Sequence, residues 1–242
     1  MILKKLKEIY RRQDFQPGCL GIFLNPFYFN RKGLYDAVLE MRRYMKGRML
    51  DVGCGQKPYQ NLFDGLEYCG LEIADRGGVV RKEADFHYDG KVFPFGANSF
   101  DSVFSSEVLE HVFTPQAFLD EIYRVLKPGG YFLLTVPFIW DEHEQPYDYA
   151  RYSSFGMAHL LGNSGFKIVD QKKTITGVCV IAQMLNGYIY KRTHCRFRVV
   201  NALVMLLIMA PINVVGQLFS LVLPPDEDLY LNNVLVGQKV AG

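Results

Sequence analysis

The stretch Met49-Leu50-Asp51-Val52-Gly53-Cys54-Gly55-Gln56-Lys57-Pro58 constrains the chain more than any other. An apolar run leads into a glycine turn, and Pro58 is placed to open a helix, which reads as strand, turn, helix. Gly53 and Gly55 lack a Cβ, so a ligand can lie against the backbone there. The N–H groups of the turn and of the expected helix favour a carboxylate or phosphate. Asp51, at the strand end, favours a cation. A ligand carrying both an ammonium and a carboxylate suits this mixed site. A dinucleotide fingerprint wants a third glycine where Pro58 stands, which argues against NAD and a nucleotide-dependent oxidoreductase or epimerase.

Strands and helices then alternate to residue 136. A second strand, Tyr68 to Ile73, carries Glu72 at its carboxyl end, where an acidic side chain can accept both hydroxyls of a ribose. A third, Val79 to Ala84, is expected to end at Asp85-Phe86, a carboxylate beside an aromatic ring that suits an adenine amino group and its face. Asp101 starts a fourth strand and Glu107 follows its end. A helix from Pro115 to Leu126 stops at Lys127-Pro128-Gly129-Gly130, where Pro and Gly break it. Tyr131 to Val136 is continuously apolar, as in a parallel sheet covered on both faces. This alternation dictates a parallel sheet with right-handed crossovers.

Leu50-Asp51-Val52-Gly53-Cys54-Gly55, Glu72, Phe100-Asp101, Glu107-Val108-Leu109-Glu110-His111 and Leu126-Lys127-Pro128-Gly129-Gly130, in that order and spacing, resemble class I S-adenosylmethionine-dependent methyltransferases. The resemblance covers roughly residues 45–175. It implies a Rossmann-like α/β fold, a mostly parallel seven-stranded sheet with a reversed last strand. It implies S-adenosylmethionine as cofactor, whose amino-acid end carries the ammonium and carboxylate that the glycine turn suits. It also implies cofactor contacts at Asp51, Gly53, Gly55, Glu72, Asp85 and Glu107, with Phe86 beside them. Lys57 stands where many members have a third motif glycine, a departure that bears on the shape of the turn.

Beyond the fifth strand, residues 137–153 gather His143, Tyr147, Tyr149 and Arg151 where open α/β sheets bind ligands. The run His143-Glu144-Gln145-Pro146-Tyr147-Asp148-Tyr149-Ala150-Arg151-Tyr152 resembles a subgroup of these methyltransferases associated with surface-glycan or lipid-linked metabolism. His143, Tyr149 and Arg151 are the candidate catalytic residues, with the His143 imidazole suited to acid–base work near neutrality. His111 is read as shaping the pocket. No metal is required. The acceptor expected is a small molecule or a lipid, or a sugar linked to a lipid or polymer. Against an enzyme stands a membrane-attached protein that binds the cofactor or acts as a scaffold without turnover.

The sixth strand is expected at Phe166 to Gln171 and the seventh at Asn232 to Gln238. The division this suggests is a helical cap over 1–44, a cofactor-binding core over 45–175 and 230–242, and an apolar helical insertion over 176–229. Val199 to Pro225 carries no charged residue and Pro211 interrupts it. Each half is too short for a bilayer core of about 30 Å. With Lys191, Arg192, Arg196 and Arg198 before it, the segment is expected to form a hairpin in one leaflet, and the membrane surface is an expected partner. Residues 1–15 read as a basic amphipathic helix that could add a second contact. The net charge of +2 makes no case for nucleic acid. The five cysteines are odd in number and widely spaced, without a C-x-x-C pair, which suits a reducing compartment. With no apolar run and cleavage site at the start, a cytoplasmic protein peripheral to the inner face of a membrane is expected.

Overall fold

The computed structural model describes residues 13–74 and 83–240. Seven strands form one mixed sheet: β1 (Arg48–Val52), β2 (Glu67–Ile73), β3 (Phe86–Tyr88), β4 (Phe100–Ser106), β5 (Leu126–Pro137), β6 (Phe166–Thr176) and β7 (Tyr230–Lys239), in the order β3-β2-β1-β4-β5-β7-β6. The pairs β1–β2, β1–β4, β2–β3 and β4–β5 run parallel, and one strand of the sheet is reversed. The strand order turns back between β1 and β4, so their carboxyl ends open a crevice.

The helices are α1 (Tyr28–Met41), α2 (Pro115–Val125), α3 (Ser154–Asn163), α4 (Val178–Thr193) and α5 (Arg198–Val222). In α2, Phe118, Leu119, Ile122 and Val125 fall on one face and are buried against β-strand residues such as Leu50, Val103 and Phe132. Each such side chain contributes roughly 1.5–3 kcal/mol of transfer free energy. Ser153 caps α3 by accepting the Gly156 N–H at 3.2 Å.

Three local expectations change. The third strand begins at Phe86; of the stretch expected for it, residues 79–82 lie outside the described residues, and Glu83 and Ala84 are not extended into the sheet. No α-helix follows the glycine turn. Lys57, just before Pro58, takes φ 53, and only a 3-10 turn, Gln60–Phe63, forms before β2. Lys127 to Gly130 ends α2 as expected, yet lies within β5 as an irregularity: Phe100 pairs with Leu126 but Ser102 pairs with Tyr131. The basic helix expected over residues 1–15 lies almost wholly outside the described residues.

The chain divides into two compact units. One holds the residues up to Ala37 with Lys173–Asn232; the other holds Val38–Lys172 and the residues from Asn233 on. In the first unit, α4 and α5 pack so closely that a Cβ on Gly216 would come within 2.7 Å of the Ala182 Cβ. The second unit carries the carboxyl-end crevice and the residues described next.

Candidate active site

At the end of β1 the chain turns through Gly53 (φ 75) and Gly55 (φ 52), conformations that glycine adopts without a Cβ penalty. Gly53 donates its N–H to Leu71 O at 2.8 Å, tying the turn to β2. The next residue of that strand, Glu72, accepts the Gly55 N–H on Oε2 at 2.9 Å. Asp51 is buried beside this turn and hydrogen-bonds the Tyr68 hydroxyl. Burial pushes the Asp51 carboxyl up to about 7; Tyr68 and Lys57 oppose the rise, and the nearby Glu72 charge adds to it. Asp85 accepts from Lys57 Nζ at 2.8 Å and from the Gly70 N–H at 2.7 Å. Burial raises its pKa, but the Lys57 hydrogen bond, the Gly70 N–H and the Lys57 charge outweigh that and hold it below the usual carboxylate range. Phe86 is 43% exposed, edge-on to Phe95.

A second cluster stands beyond β4 and β5. Glu107 takes φ 56, donates its N–H to Thr135 O at 3.0 Å and accepts the Thr135 hydroxyl at 2.9 Å. A 3-10 turn, Leu109–His111, then carries Glu110 and His111 inward. The Glu110 side chain is fully buried, and neither carboxyl oxygen has a hydrogen-bond partner. Burial first, and then the Glu107 charge, raise its pKa well above the usual range, so it is held as the neutral acid. The loop over 138–153 is pinned to this turn: Tyr149 donates its N–H to Glu110 O at 2.8 Å, and His111 Nδ1 lies 2.9 Å from Tyr147 O. Burial lowers the His111 pKa, keeping the ring neutral.

His143 meets His111 edge-on, with ring centroids 4.7 Å apart. His143 Nδ1 faces two acceptors, Asp141 O and Asp148 Oδ2, each at 3.2 Å. Arg151 Nη2 lies 3.4 Å from the same nitrogen, so two acceptors and one donor meet at His143 Nδ1. Arg151 grips Asp148 with two 2.6 Å bonds and also donates to Asp141 O at 2.8 Å. Burial raises the Asp148 pKa, yet the Arg151 and His143 interactions overcome it and bring the carboxyl down to about 2. One donor atom each from Glu110, His111 and His143 lies within 4.8 Å of the others, a carboxylate and two imidazoles that could hold a divalent transition metal.

Residues 50–134 match the family described as a methyltransferase domain. The fold is that of S-adenosylmethionine-dependent methyltransferases. Sterol 24-C-methyltransferase of Gibberella zeae is 35% identical over 99 residues, 35% of this chain and 26% of its own. The ubiquinone biosynthesis O-methyltransferase of Ruegeria pomeroyi is 32% identical over 126 residues, 44% of this chain and 50% of its own. The aligned part is thus about a quarter to a half of the length of these relatives. Among solved structures, the cyclase SpnF aligns with a TM-score of 0.53 at 21% identity, covering 86% of this chain and 80% of that one.

The methyltransferase fold brings Asp51, Gly53, Gly55 and Glu72 to the carboxyl ends of β1 and β2, as their spacing suggests, whereas Asp85, expected at the carboxyl end of the third strand, precedes β3 and lies opposite Gly70 within β2. The donor set fits S-adenosylmethionine: a carboxyl, Asp51, stands buried beside the glycine turn, and Glu72 holds that turn through the Gly55 N–H. Asp85 is committed to Lys57 and Gly70. His143 and Arg151 come together through Asp148. Tyr149, 44% exposed, instead meets Phe113 edge-on, with ring centroids 5.2 Å apart. The helix N-terminus expected after Pro58 does not form, and the N–H groups of Gly53, Cys54, Gly55 and Lys57 are bonded within the protein, to Leu71 O, Glu72 Oε2 and Cys54 O, so the anion site expected at the turn is not preformed. Sequence reasoning passed over Asp148, Glu110 and Tyr68. Asp148 had a signal, an acidic residue three positions before Arg151; Tyr68 reaches Asp51 only because Met49 and Tyr68 are register partners.

Proposed function

We propose that the protein transfers the methyl group of S-adenosylmethionine to a hydroxyl of a lipid, or of a sugar linked to a lipid or polymer. The observation that carries this reading is the fully buried Asp51 beside a glycine turn whose Gly55 N–H is held by Glu72. In its ionised form Asp51 faces the cofactor's positive end, and Glu72 offers its carboxylate to the ribose hydroxyls. The cofactor supplies a methyl group already activated on a sulfonium, so the chain's work is orientation and proton removal. His143 takes the acceptor's hydroxyl proton on Nε2. Asp148 orients the imidazole through Nδ1 and stabilises it once protonated, and Arg151 fixes Asp148 and the loop. Arg151 is therefore a positioning residue. Tyr149 and Phe113 offer an exposed aromatic pair for an apolar acceptor.

The relatives named for sterol and ubiquinone chemistry support a lipid-soluble acceptor, as does the resemblance of the loop to enzymes of lipid-linked and surface-glycan metabolism. Because a cyclase shares the fold, methyl transfer itself must be measured. The protein is incubated with methyl-labelled cofactor and host lipid and glycan extracts, and the product is identified. Label appearing in an ether of a lipid or lipid-linked sugar is the expected result. Label confined to the cofactor pool with every extract would overturn the reading.

A further inference from the structure

The unit that holds α4 and α5 buries amide side chains beside apolar core residues such as Phe29, Met205 and Met209, and turns further apolar side chains outward. On its buried side, Gln183 accepts the Asn30 N–H at 3.1 Å and donates to Pro26 O at 3.1 Å. Asn186 donates to Asn213 Oδ1 at 2.8 Å, and Asn213 donates to Ile22 O at 2.9 Å. All three amides are fully buried. Many outward side chains are apolar, among them Ile181 and Leu185 on α4, and Leu206, Leu207, Leu218 and Val222 on α5. A helix pair in water places these classes the other way round. Polar groups bonded inward and hydrocarbon outward suit a pair whose surroundings are lipid.

The sequence suggested that Pro211 would divide this segment into a hairpin. Instead α5 runs unbroken for 25 residues, with a π turn, Met205–Met209, just before Pro211. The widened turn accommodates the proline ring and its missing N–H. The helix is strongly apolar, and only 28% of its most apolar 18-residue stretch is buried. At about 1.5 Å per residue it is ~37 Å long, enough to cross a bilayer core of about 30 Å. Topology forbids the crossing. The segment leaves the sheet from β6 and returns to it in β7, and these strands are neighbours. A single span would put two adjacent strands on opposite sides of the membrane.

The turn between α4 and α5 supplies the remaining clue. Lys191, Arg192, Arg196 and Arg198 crowd around it, all exposed, with Tyr188 (62% exposed) and Phe197 (56% exposed) beside them. Arg192 lies over the Tyr188 ring at 5.6 Å and Arg196 over Phe197 at 4.9 Å. Cations with neighbouring aromatic rings match the headgroup layer of an anionic membrane. Carrying those four cations through the hydrocarbon is unfavourable, which excludes entry turn-first.

We infer that α4 and α5 dock in one leaflet of an anionic lipid bilayer, their outer apolar faces in the acyl boundary and the Lys191–Arg198 turn among the headgroups. This does not depend on the identity of the methyl acceptor. The test is flotation of the full chain with vesicles of phosphatidylcholine alone and of phosphatidylcholine mixed with phosphatidylglycerol. The chain should float with the mixed vesicles and far less with the neutral ones. Changing Lys191, Arg192, Arg196 and Arg198 to Gln should weaken binding roughly fivefold per cation, ~10²-fold or more together. Leu207→Glu with Leu218→Glu should abolish flotation, while calorimetric titration with S-adenosylhomocysteine stays as in the parent chain. The vesicle comparison needs no variant, so a misfolded variant leaves the test standing. A full chain that stays at the bottom of the gradient overturns the inference. If it does so as a dimer in light scattering, the apolar face joins two copies; if as a monomer, the face is tolerated in water. The cofactor titration reads the methyltransferase assignment separately.

Discussion

Cofactor affinity should fall steeply as the solution is acidified, because the carboxyl at the end of β1 must be ionised to meet a positive group. Burial places the Asp51 pKa at about 7. Binding that requires the carboxylate weakens tenfold for each pH unit below that value, so a titration at about pH 5 should show ~10²-fold lower affinity than one at about pH 8, or roughly 2.7 kcal/mol. Binding near pH 6 should also release a proton, seen as a dependence of the calorimetric heat on the buffer's ionisation enthalpy. The apoprotein carries the opposite signature. A carboxyl raised from 3.8 to about 7 on folding costs stability as pH rises through that window, roughly 4 kcal/mol in all. Asp51→Asn should therefore raise the melting temperature above neutral pH, flatten the affinity profile and weaken cofactor binding. Affinity independent of pH between about 5 and 8, with the parent chain and Asp51→Asn alike, would refute the reasoning built on this buried carboxyl.

Other outcomes follow from the same geometry. Glu72→Ala should weaken cofactor binding by about 1–3 kcal/mol, since it removes both a charged acceptor and the clasp on Gly55, as calorimetry would read. His143→Ala should lower turnover by ~10²-fold or more with cofactor affinity little changed. Arg151→Lys should lower turnover and raise the apparent pKa of its acidic limb, because a lysine cannot hold Asp148 with two donors; an unchanged pH–rate profile would count against a positioning role. Chelator-treated protein should keep its activity, since the raised pKa of Glu110 lets it remain neutral without a cation. Loss of activity restored by one divalent metal would reassign His143 from base to ligand.

Most of the sheet was legible because its signals are local. Short apolar runs ending in Asp51, Glu72 and Asp101-led β4 mark strands, and the Pro115 start and Gly129-Gly130 stop mark α2. The failures are places where one residue's backbone or a distant partner decides. Pro58 opens no α-helix but only the 3-10 turn Gln60–Phe63, and nothing in a lysine announces the left-handed turn at Lys57 just before it. Pro211 fails to break α5 because a π turn absorbs it, a backbone adjustment that hydropathy cannot display. In the site, the strand-end carboxylates could be placed from their positions in sequence. The pairing of Asp148 with His143 and Arg151 could not, because it depends on how an irregular loop folds back onto the Glu110 turn.

S-adenosylmethionine is expected in the crevice at the carboxyl ends of β1 and β4, against the Glu72 end of β2. Calorimetric titration of the full chain at about pH 8 with S-adenosylhomocysteine, and in parallel with NAD, tests it most directly. One site of micromolar affinity, about −8 kcal/mol, for the methionine-derived ligand and no heat with NAD is the expected result. Tight NAD binding with no response to S-adenosylhomocysteine would contradict it.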